Sequence, residues 1–471
     1  MMGHLGELNG SELLKAYRHK SLSPVEVTKD TLRRIDQFEP AINAFSLVDH
    51  AGALKSALES ETRWQNGQPL GPMDGLCVTI KDNINVKGWP NRRGSAVTPS
   101  TPSDSDAPVV ARLKEAGAIF LGKTTMPEYG WKGVGDSPLT GISRNPWNTS
   151  RNPGGSTAGG AATAALNLGV VHIGTDGAGS IRIPAAFCGV YGIKQSYGRV
   201  PAYPVSTMGF LAHVGPLSRS VEDSARALSV ISQPDWQDIT AQTARAPDYL
   251  ASLNDGVRGL RIAWSPRLGY VDKIDPDVAH LTQQAAKNFA ALGAIVEEAD
   301  PGFTDPIEPL LTLWQAGCAL ALRPFTAEQK TKMDPGLIAM AEAGDKISGA
   351  DYAEALFYQR NALSVAMARF HERYDLLLTP ALALPAFEAG LNTPADPAWG
   401  DDWTRWTPFT YPFNLTMQPA ATVPCGLSRE GLPVGLQIVG PMNADALVLR
   451  ASKAFESAFP FARISQPKVV R

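Results

Sequence analysis

The chain has 471 residues, 44% of them hydrophobic and 19% charged, with a formal net charge of −3. That balance belongs to a globular chain with a large core and excludes a disordered one. The absence of any basic run excludes nucleic acid as the main partner, because phosphate binding needs clustered Lys and Arg. No apolar stretch reaches the 18 or so residues of a membrane span. The start, MMGHLGELNG, lacks the basic-then-apolar pattern of a secretory leader. Four cysteines, Cys77, Cys188, Cys318 and Cys425, lie far apart and form no CxxC pair. This is the pattern of a reduced, cytoplasmic protein.

Residues 11–38 read as two helices, the second opened by Ser23 as N-cap, Pro24 at N1 and Glu26 at N3. An alanine-rich helix follows over 49–64. Residues 76–80 (LCVTI) are a short apolar run after Asp74-Gly75, read as a buried strand that delivers Lys81, Asp82 and Asn83 at its C-terminal end. Residues 89–106 are loop, and Asp106-Ala107-Pro108 predicts a capped helix over 108–116, ended by Gly117. Gly117 to Thr124 matches the phosphate-loop pattern G-x4-G-K-[ST]. Ala118–Leu121 are apolar and read as a strand, however, and Pro127 comes too soon for the long helix such a loop needs.

Residues 127–155 are rich in Gly, Pro and Asn and read as loop. Beyond them lie an alanine-rich helix after Ser156, a buried strand VVHIGT, and a helix over 219–231 with Ser218 or Ser220 as cap. Residues 260–299 form a strand–helix–strand unit. A helix over 349–373 feeds the strand LLLT, which ends at Thr379-Pro380. Residues 391–414 hold Trp399, Trp403, Trp406, Phe409, Tyr411 and Phe413, read equally as a pocket wall or a packed loop. Strands ATVPCG and VGLQIVG, around a turn at Glu430-Gly431, precede a last helix over 443–458. Strands alternating with helices predict an α/β/α sandwich with a large mixed, mostly parallel twisted sheet.

Two serines stand out in the segment 152–194: Ser156, after Gly154-Gly155, and Ser180, after Gly174-Thr-Asp-Gly-Ala-Gly179. Consecutive N–H groups in a glycine-rich turn make an anion-binding nest, so those of Gly177, Ala178, Gly179 and Ser180 suit a developing oxyanion. A serine nucleophile also needs a base. Seven histidines exist (His4, His19, His50, His172, His213, His280 and His371), but no G-x-S-x-G elbow surrounds any serine. Among the lysines, Lys81 is best placed, since burial at a strand end lowers a lysine pKa. Ser156 would then relay between Lys81 and Ser180.

The segments Gly154-Gly155-Ser156, Gly174-Thr175-Asp176-x-x-Gly179-Ser180-Ile181-Arg182-x-Pro184-Ala185 and Gly192-Ile193-Lys194 resemble the amidase signature family. So do Val78-Thr-Ile-Lys81-Asp82-Asn83, Gly122-Lys123-Thr124, FNLTMQPAATVPCG and GLPVGLQIVGP, so that the resemblance runs from about residue 15 to 460. It implies a single domain over 1–471, with a core at about 65–230 and 370–471 and a variable substrate wall at about 240–415. It also implies that Lys81 is the catalytic base, Ser156 a relay serine carrying a cis peptide bond, and Ser180 the acylated serine. Asp176 and Arg182 support them, and neither metal nor cofactor is required.

Several positions depart from the family's common pattern: Ala178, Ala158 and Met417 stand where glycine is usual, Gly160 where serine is, and Gln195 where proline is. Ala178 is the sharpest of these, because a positive φ is uncomfortable for alanine. The substrate implied is a small amide or carbamate, aryl or apolar, with Met126, Tyr129, Trp131, Thr157 and Cys318 as candidate wall residues. Ile183 stands where the family's amidotransferase components of the A type usually have Gln. That favours a free-standing hydrolase, monomer or homodimer, over such a component. A catalytically silent binding protein of the same fold is opposed by the intact Lys81, Ser156 and Ser180.

Overall fold

The computed structural model describes residues 5–470. His4 and the first residues of the MMGHLGELNG segment lie outside the described residues.

Eleven strands form one sheet. In chain order they are β1 (Phe45–Val48), β2 (Cys77–Lys81), β3 (Ile119–Thr124), β4 (Val171–Asp176), β5 (Tyr191–Lys194), β6 (His213–Ser218), β7 (Arg261–Trp264), β8 (Ile295–Glu298), β9 (Leu376–Pro380), β10 (Ala420–Leu427) and β11 (Pro433–Val439). Their order across the sheet is β1-β3-β2-β4-β6-β5-β10-β11-β9-β7-β8. The expected α/β fold with a mixed sheet flanked by helices is present, but "mostly parallel" needs correction. The junctions β3–β2, β2–β4, β9–β7 and β7–β8 are parallel, and the other six are antiparallel. The reason lies in the connections. The helix Pro276–Ala291 between β7 and β8 is long enough for a parallel crossover, whereas the tight turn at Gly431 (φ 74°) leaves β10 and β11 no choice but antiparallel pairing.

Both faces of the sheet are buried, and successive residues serve opposite faces. Val78 and Ile80 of β2, Val171 and Ile173 of β4, and Leu436 and Ile438 of β11 join one core with Leu228, Phe289 and Phe455 from three helices. Cys77, Ile119 and Leu121 join a second core with Ile35, Ala57 and Ala161. Lys81 follows the alternation of Cys77 and thus points to the second face.

Local signals decide the helix ends. Ser23 and Glu26 form the expected capping box of the helix Pro24–Ile42. Asp106 does not cap the helix Pro108–Glu115. Its carboxylate accepts instead from the Lys87 N–H at 2.7 Å and from the Lys114 ammonium at 2.8 Å, and Ala107 takes the N-cap position without a side-chain bond. The stretch that matches a phosphate loop is β3 itself, with Lys123 buried and donating to the Ile84 carbonyl at 2.6 Å. The span 349–373 is helical but includes a π-helical segment, Glu354–Gln359.

Gly122 of β3 faces the backbone of β1, and a Cβ built there would sit 2.0 Å from the Leu47 carbonyl oxygen. Gly122→Ala is therefore expected to destabilise the fold by about 1–3 kcal/mol, as overpacking does. Equilibrium urea unfolding of the variant beside the parent checks this.

Candidate active site

Lys81 ends β2 with no solvent exposure. Its ammonium nitrogen lies 2.7 Å from Ser156 Oγ, 2.9 Å from Thr175 Oγ1 and 3.4 Å from the Thr175 carbonyl oxygen. Burial pushes its pKa down to about 7, against the opposing pull of the Asp176 carboxylate. Three oxygens around the nitrogen suit an ammonium with three N–H donors, and they suit a neutral amine as well. In the neutral form its two N–H groups cover the two Thr175 oxygens, and its lone pair accepts from the Ser156 hydroxyl. Asn83 Nδ2 also donates to Thr175 Oγ1, at 3.1 Å, and so fixes that oxygen.

The Gly155–Ser156 peptide bond is cis. The next residue, Thr157, donates its backbone N–H to the Ser180 carbonyl at 3.1 Å, which ties the two serine loops together. Ser156 and Ser180 line one cavity of about 130 Å³. Among the described residues, the Ser180 hydroxyl makes no hydrogen bond to Ser156.

Asp176 shapes the loop that presents Ser180. Its carboxylate accepts from Gly179 N–H at 2.7 Å, Ile181 N–H at 3.1 Å, Asn414 Nδ2 at 2.9 Å, and Arg182 through Nε and an Nη at 3.1 and 3.0 Å. Both partners of the Asp176–Arg182 pair are fully buried. Although burial alone would raise the Asp176 pKa, the adjoining guanidinium leads a set of interactions that hold it well below the usual carboxylate range. Arg182 spends its remaining donors on the Thr410 carbonyl, Gln437 Oε1 and Asn414 Oδ1.

This arrangement narrows the nest read from sequence. Gly179 N–H is already donated to Asp176 and is not free for an oxyanion. Among the described residues, the N–H groups of Gly177, Ala178 and Ser180 have no acceptor within the chain. The concern over Ala178 also dissolves. The positive φ of the loop falls on Gly179, at 127°, and Ala178 is buried in the hydrophobic cluster that also holds Trp131 and Trp314. Met417 does adopt the left-handed conformation (φ 63°), the position for which glycine is usual.

Of the five candidate wall residues, Tyr129 lines the cavity. The other four lie outside the lining for particular reasons. Met126 is buried beneath Gly130, Trp131 packs its ring against Gly336, Thr157 fills space beside Gly174, and Cys318 is fully buried in the core under its helix. The residue of that helix that does line the cavity is Trp314, one turn earlier, its indole N–H anchored on the Trp131 carbonyl at 3.2 Å. None of the aromatics of 399–413 lines this cavity; Trp399 is half-buried under the Lys273 ammonium, which lies 4.3 Å from its ring centre. Trp406 stacks on Phe187 at 5.7 Å, and Trp403, Phe409, Tyr411 and Phe413 are buried away from the cavity. Arg93, Thr175, Tyr203 and His213 line it as well. His172 faces a packing layer, between the hydroxyls of Thr79 and Thr163. Among the described residues, no three His, Cys, Asp or Glu side chains gather as a metal site, and no helix is long and apolar enough to cross a membrane.

The amidase family profile matches residues 26–449. The chain belongs to the amidase signature family. It is 35% identical to an acylamidase of Rhodococcus erythropolis over 461 residues, 97% of this chain and 96% of that one. It is 34% identical to the A subunit of the glutamyl-tRNA(Gln) amidotransferase of Carboxydothermus hydrogenoformans, over 98% of this chain and 99% of that one. A solved bacterial aryl acylamidase of the same family superposes with a TM-score of 0.89 at 30% identity, over 96% of each chain. The protein is thus an amide-hydrolysing enzyme.

The five donors on Asp176 generate a prediction about the amidase fold. Asp176→Asn leaves the Arg182 charge buried without its counter-ion, and breaking such a pair costs roughly 3–5 kcal/mol. A lowered urea midpoint is expected, and an unchanged midpoint would contradict the assignment of Asp176 as the organiser of the loop.

Proposed function

We propose that the protein hydrolyses the C–N bond of aryl or apolar amides through an ester on Ser180, with Lys81 as base and Ser156 as relay. One observation carries this reading: a fully buried lysine with its pKa near neutrality, 2.7 Å from a serine on the cavity that Ser180 also lines. In water, a lysine at neutral pH is a cation with no lone pair to offer. Desolvation removes that obstacle here, and it does so where a hydroxyl is in contact.

The steps start from the Lys81–Ser156 contact and require the Ser180 hydroxyl to turn toward Ser156 Oγ in the cavity that both line. The Ser156 hydroxyl passes its proton to the Lys81 lone pair as Ser156 Oγ takes the proton of Ser180. Ser180 Oγ then bonds to the amide carbon, and the carbonyl oxygen becomes an oxyanion. The N–H groups of Gly177, Ala178 and Ser180 donate to it, each such donor being worth on the order of 10²–10³ in rate. The proton returns from Lys81 through Ser156 to the departing nitrogen, the C–N bond breaks and the amine leaves. Water adds to the ester by the same relay, giving the carboxylic acid and free Ser180. A carbamate presents the same electrophilic carbonyl and fits the same sequence of transfers. Trp314 and Tyr129 on the wall support an aryl or apolar substrate. The unpaired cysteines support work in a reducing compartment, the cytoplasm.

A second reading, an A-type subunit of a glutamine-dependent amidotransferase, is favoured by the relative at 34% identity. Glutamine hydrolysis together with a co-purifying partner would support it, whereas anilide hydrolysis by the purified chain alone supports the free-standing enzyme.

Two expectations test the mechanism. A fluorophosphonate probe is expected to label Ser180, and Lys81→Ala and Ser180→Ala are expected to lower kcat/KM for an anilide by at least about 10³. Normal turnover in either variant would refute the roles. The second concerns pH. The working form of Lys81 is the deprotonated one, so kcat/KM is expected to rise with pH through about 7 and level off above it. A profile that falls across that range would count against Lys81 as the base.

A further inference from the structure

The cavity holds a cation that the hydrolytic steps do not use. Arg93 lines it, half-buried, with its guanidinium carbon 5.8 Å from the centre of the Tyr129 ring. Among the described residues no carboxylate lies within 4.0 Å of that guanidinium, although several other arginines of the chain have such a partner. The one acidic side chain on the lining, Asp176, is fully committed to Arg182, Asn414 and two backbone N–H groups. Among the described residues, therefore, no carboxylate pairs with Arg93: the two nearby ones, Asp82 and Glu128, accept from the Gly94 N–H and the Ser95 hydroxyl.

The position of Arg93 is fixed from several sides. Its carbonyl accepts the Tyr129 N–H at 2.8 Å, and the next residue, Gly94, donates its N–H to Asp82 Oδ2 at 2.8 Å. Asp82 directly follows Lys81, so the loop that carries Arg93 is pinned to the strand end that carries the base. Tyr129 is in turn held by the Thr98 hydroxyl at 3.2 Å and by an edge contact to Phe325. A guanidinium backed by an aromatic ring and partly withdrawn from water is a preorganised receptor for a planar anion.

We propose that Arg93 selects substrates bearing an acidic group, so that the amides taken by this site combine an aryl or apolar part with a carboxylate placed to meet the guanidinium. The inference rests on the amidase reading of Ser180 and Lys81 and adds the charge of the substrate to it. Arg93 makes no bond to the reacting atoms in this account. It holds the far end of the substrate and so acts on KM.

The test uses matched pairs of amides, one anionic and one neutral, with the full-length enzyme at low ionic strength. Glutaryl p-nitroanilide is compared with pentanoyl p-nitroanilide, placing the carboxylate on the acyl side. The pair 4-acetamidobenzoate and acetanilide places it on the amine side. The parent enzyme is expected to prefer the anionic member of at least one pair by about tenfold or more in kcat/KM, mainly through KM, as a charge-assisted hydrogen bond provides. In Arg93→Gln that ratio is expected to collapse toward one, and Arg93→Lys should restore part of it. No preference in the parent for either anionic member overturns the proposal, and this arm does not depend on any variant folding. An equal loss on both members of a pair in Arg93→Gln also overturns it, because it marks a structural role. A parent that cleaves none of the four amides and is not labelled at Ser180 fails the amidase reading and removes the inference with it, whereas cleavage without charge preference fails the inference alone.

Discussion

The site depends first on a buried carboxylate. Asp176 ends β4 and receives five hydrogen bonds, two from the backbone of the loop it precedes and the rest from Arg182 and Asn414. A carboxylate with no access to water is tolerable only when fully paired, and the pairing here dictates the path of residues 177–181. Turning the Gly179 and Ile181 N–H groups inward onto Asp176 leaves those of Gly177, Ala178 and Ser180 without internal partners. The loop becomes a set of donors because its alternate donors are spent on one anion. The same anion is anchored across the sheet, since Arg182 bonds Gln437 on β11 and the Thr410 carbonyl.

Asp176 also acts on Lys81, in the direction opposite to burial. A nearby carboxylate favours the charged amine, while complete desolvation favours the neutral one, and desolvation prevails to leave the pKa at about 7. The balance matters, because burial without the carboxylate would depress the lysine further and weaken it as a base. Two other buried lysines show how place decides role. Lys123, on the neighbouring strand, is lowered only to about 8 and donates to the Ile84 carbonyl, with no serine in contact. Lys194 lies behind the site, with its ammonium on the Gln418 carbonyl and close to His213, and burial lowers it strongly. Among the described residues, only the Lys81 amine of the three has a serine hydroxyl as a partner.

What the sequence made legible was local or carried by contiguous motifs. The Ser23 capping box, the strand ending at Lys81 and the two serine loops each declare themselves within a few residues. Other features depend on what the chain meets at a distance. Asp106 sits where a cap belongs, yet Lys87 and Lys114 claim its carboxylate. The aromatic run over 399–413 has the composition of a pocket wall, but Trp406 finds Phe187, Trp403, Phe409, Tyr411 and Phe413 are buried, and Trp399 lies half-buried beside Lys273. On the helix Ile307–Leu322 a difference of four residues decides between Trp314 on the cavity and Cys318 in the core. Sheet direction was likewise hidden, since short apolar strands look the same in parallel and antiparallel pairs, and only the length of each connection separates them.

The same contrast separates chemistry from selectivity in this enzyme. Lys81, Asp176 and the serine loops stand at strand ends or are bonded directly to them, so their geometry is set by the sheet. The wall comes from residues 83–85, 93, 107, 109, 129–130, 201–208, 212–214 and 314, segments that share no periodic pattern and meet only in the folded chain. A change in such a segment alters what the cavity admits without moving the strand ends. Arg93 sits at the border between the two. It belongs to a loop, but Gly94 N–H on Asp82 ties that loop to the residue after Lys81. A cation so placed is held at a fixed position relative to the end of β2, which is the condition for a charge on a bound molecule to orient it as well as to bind it.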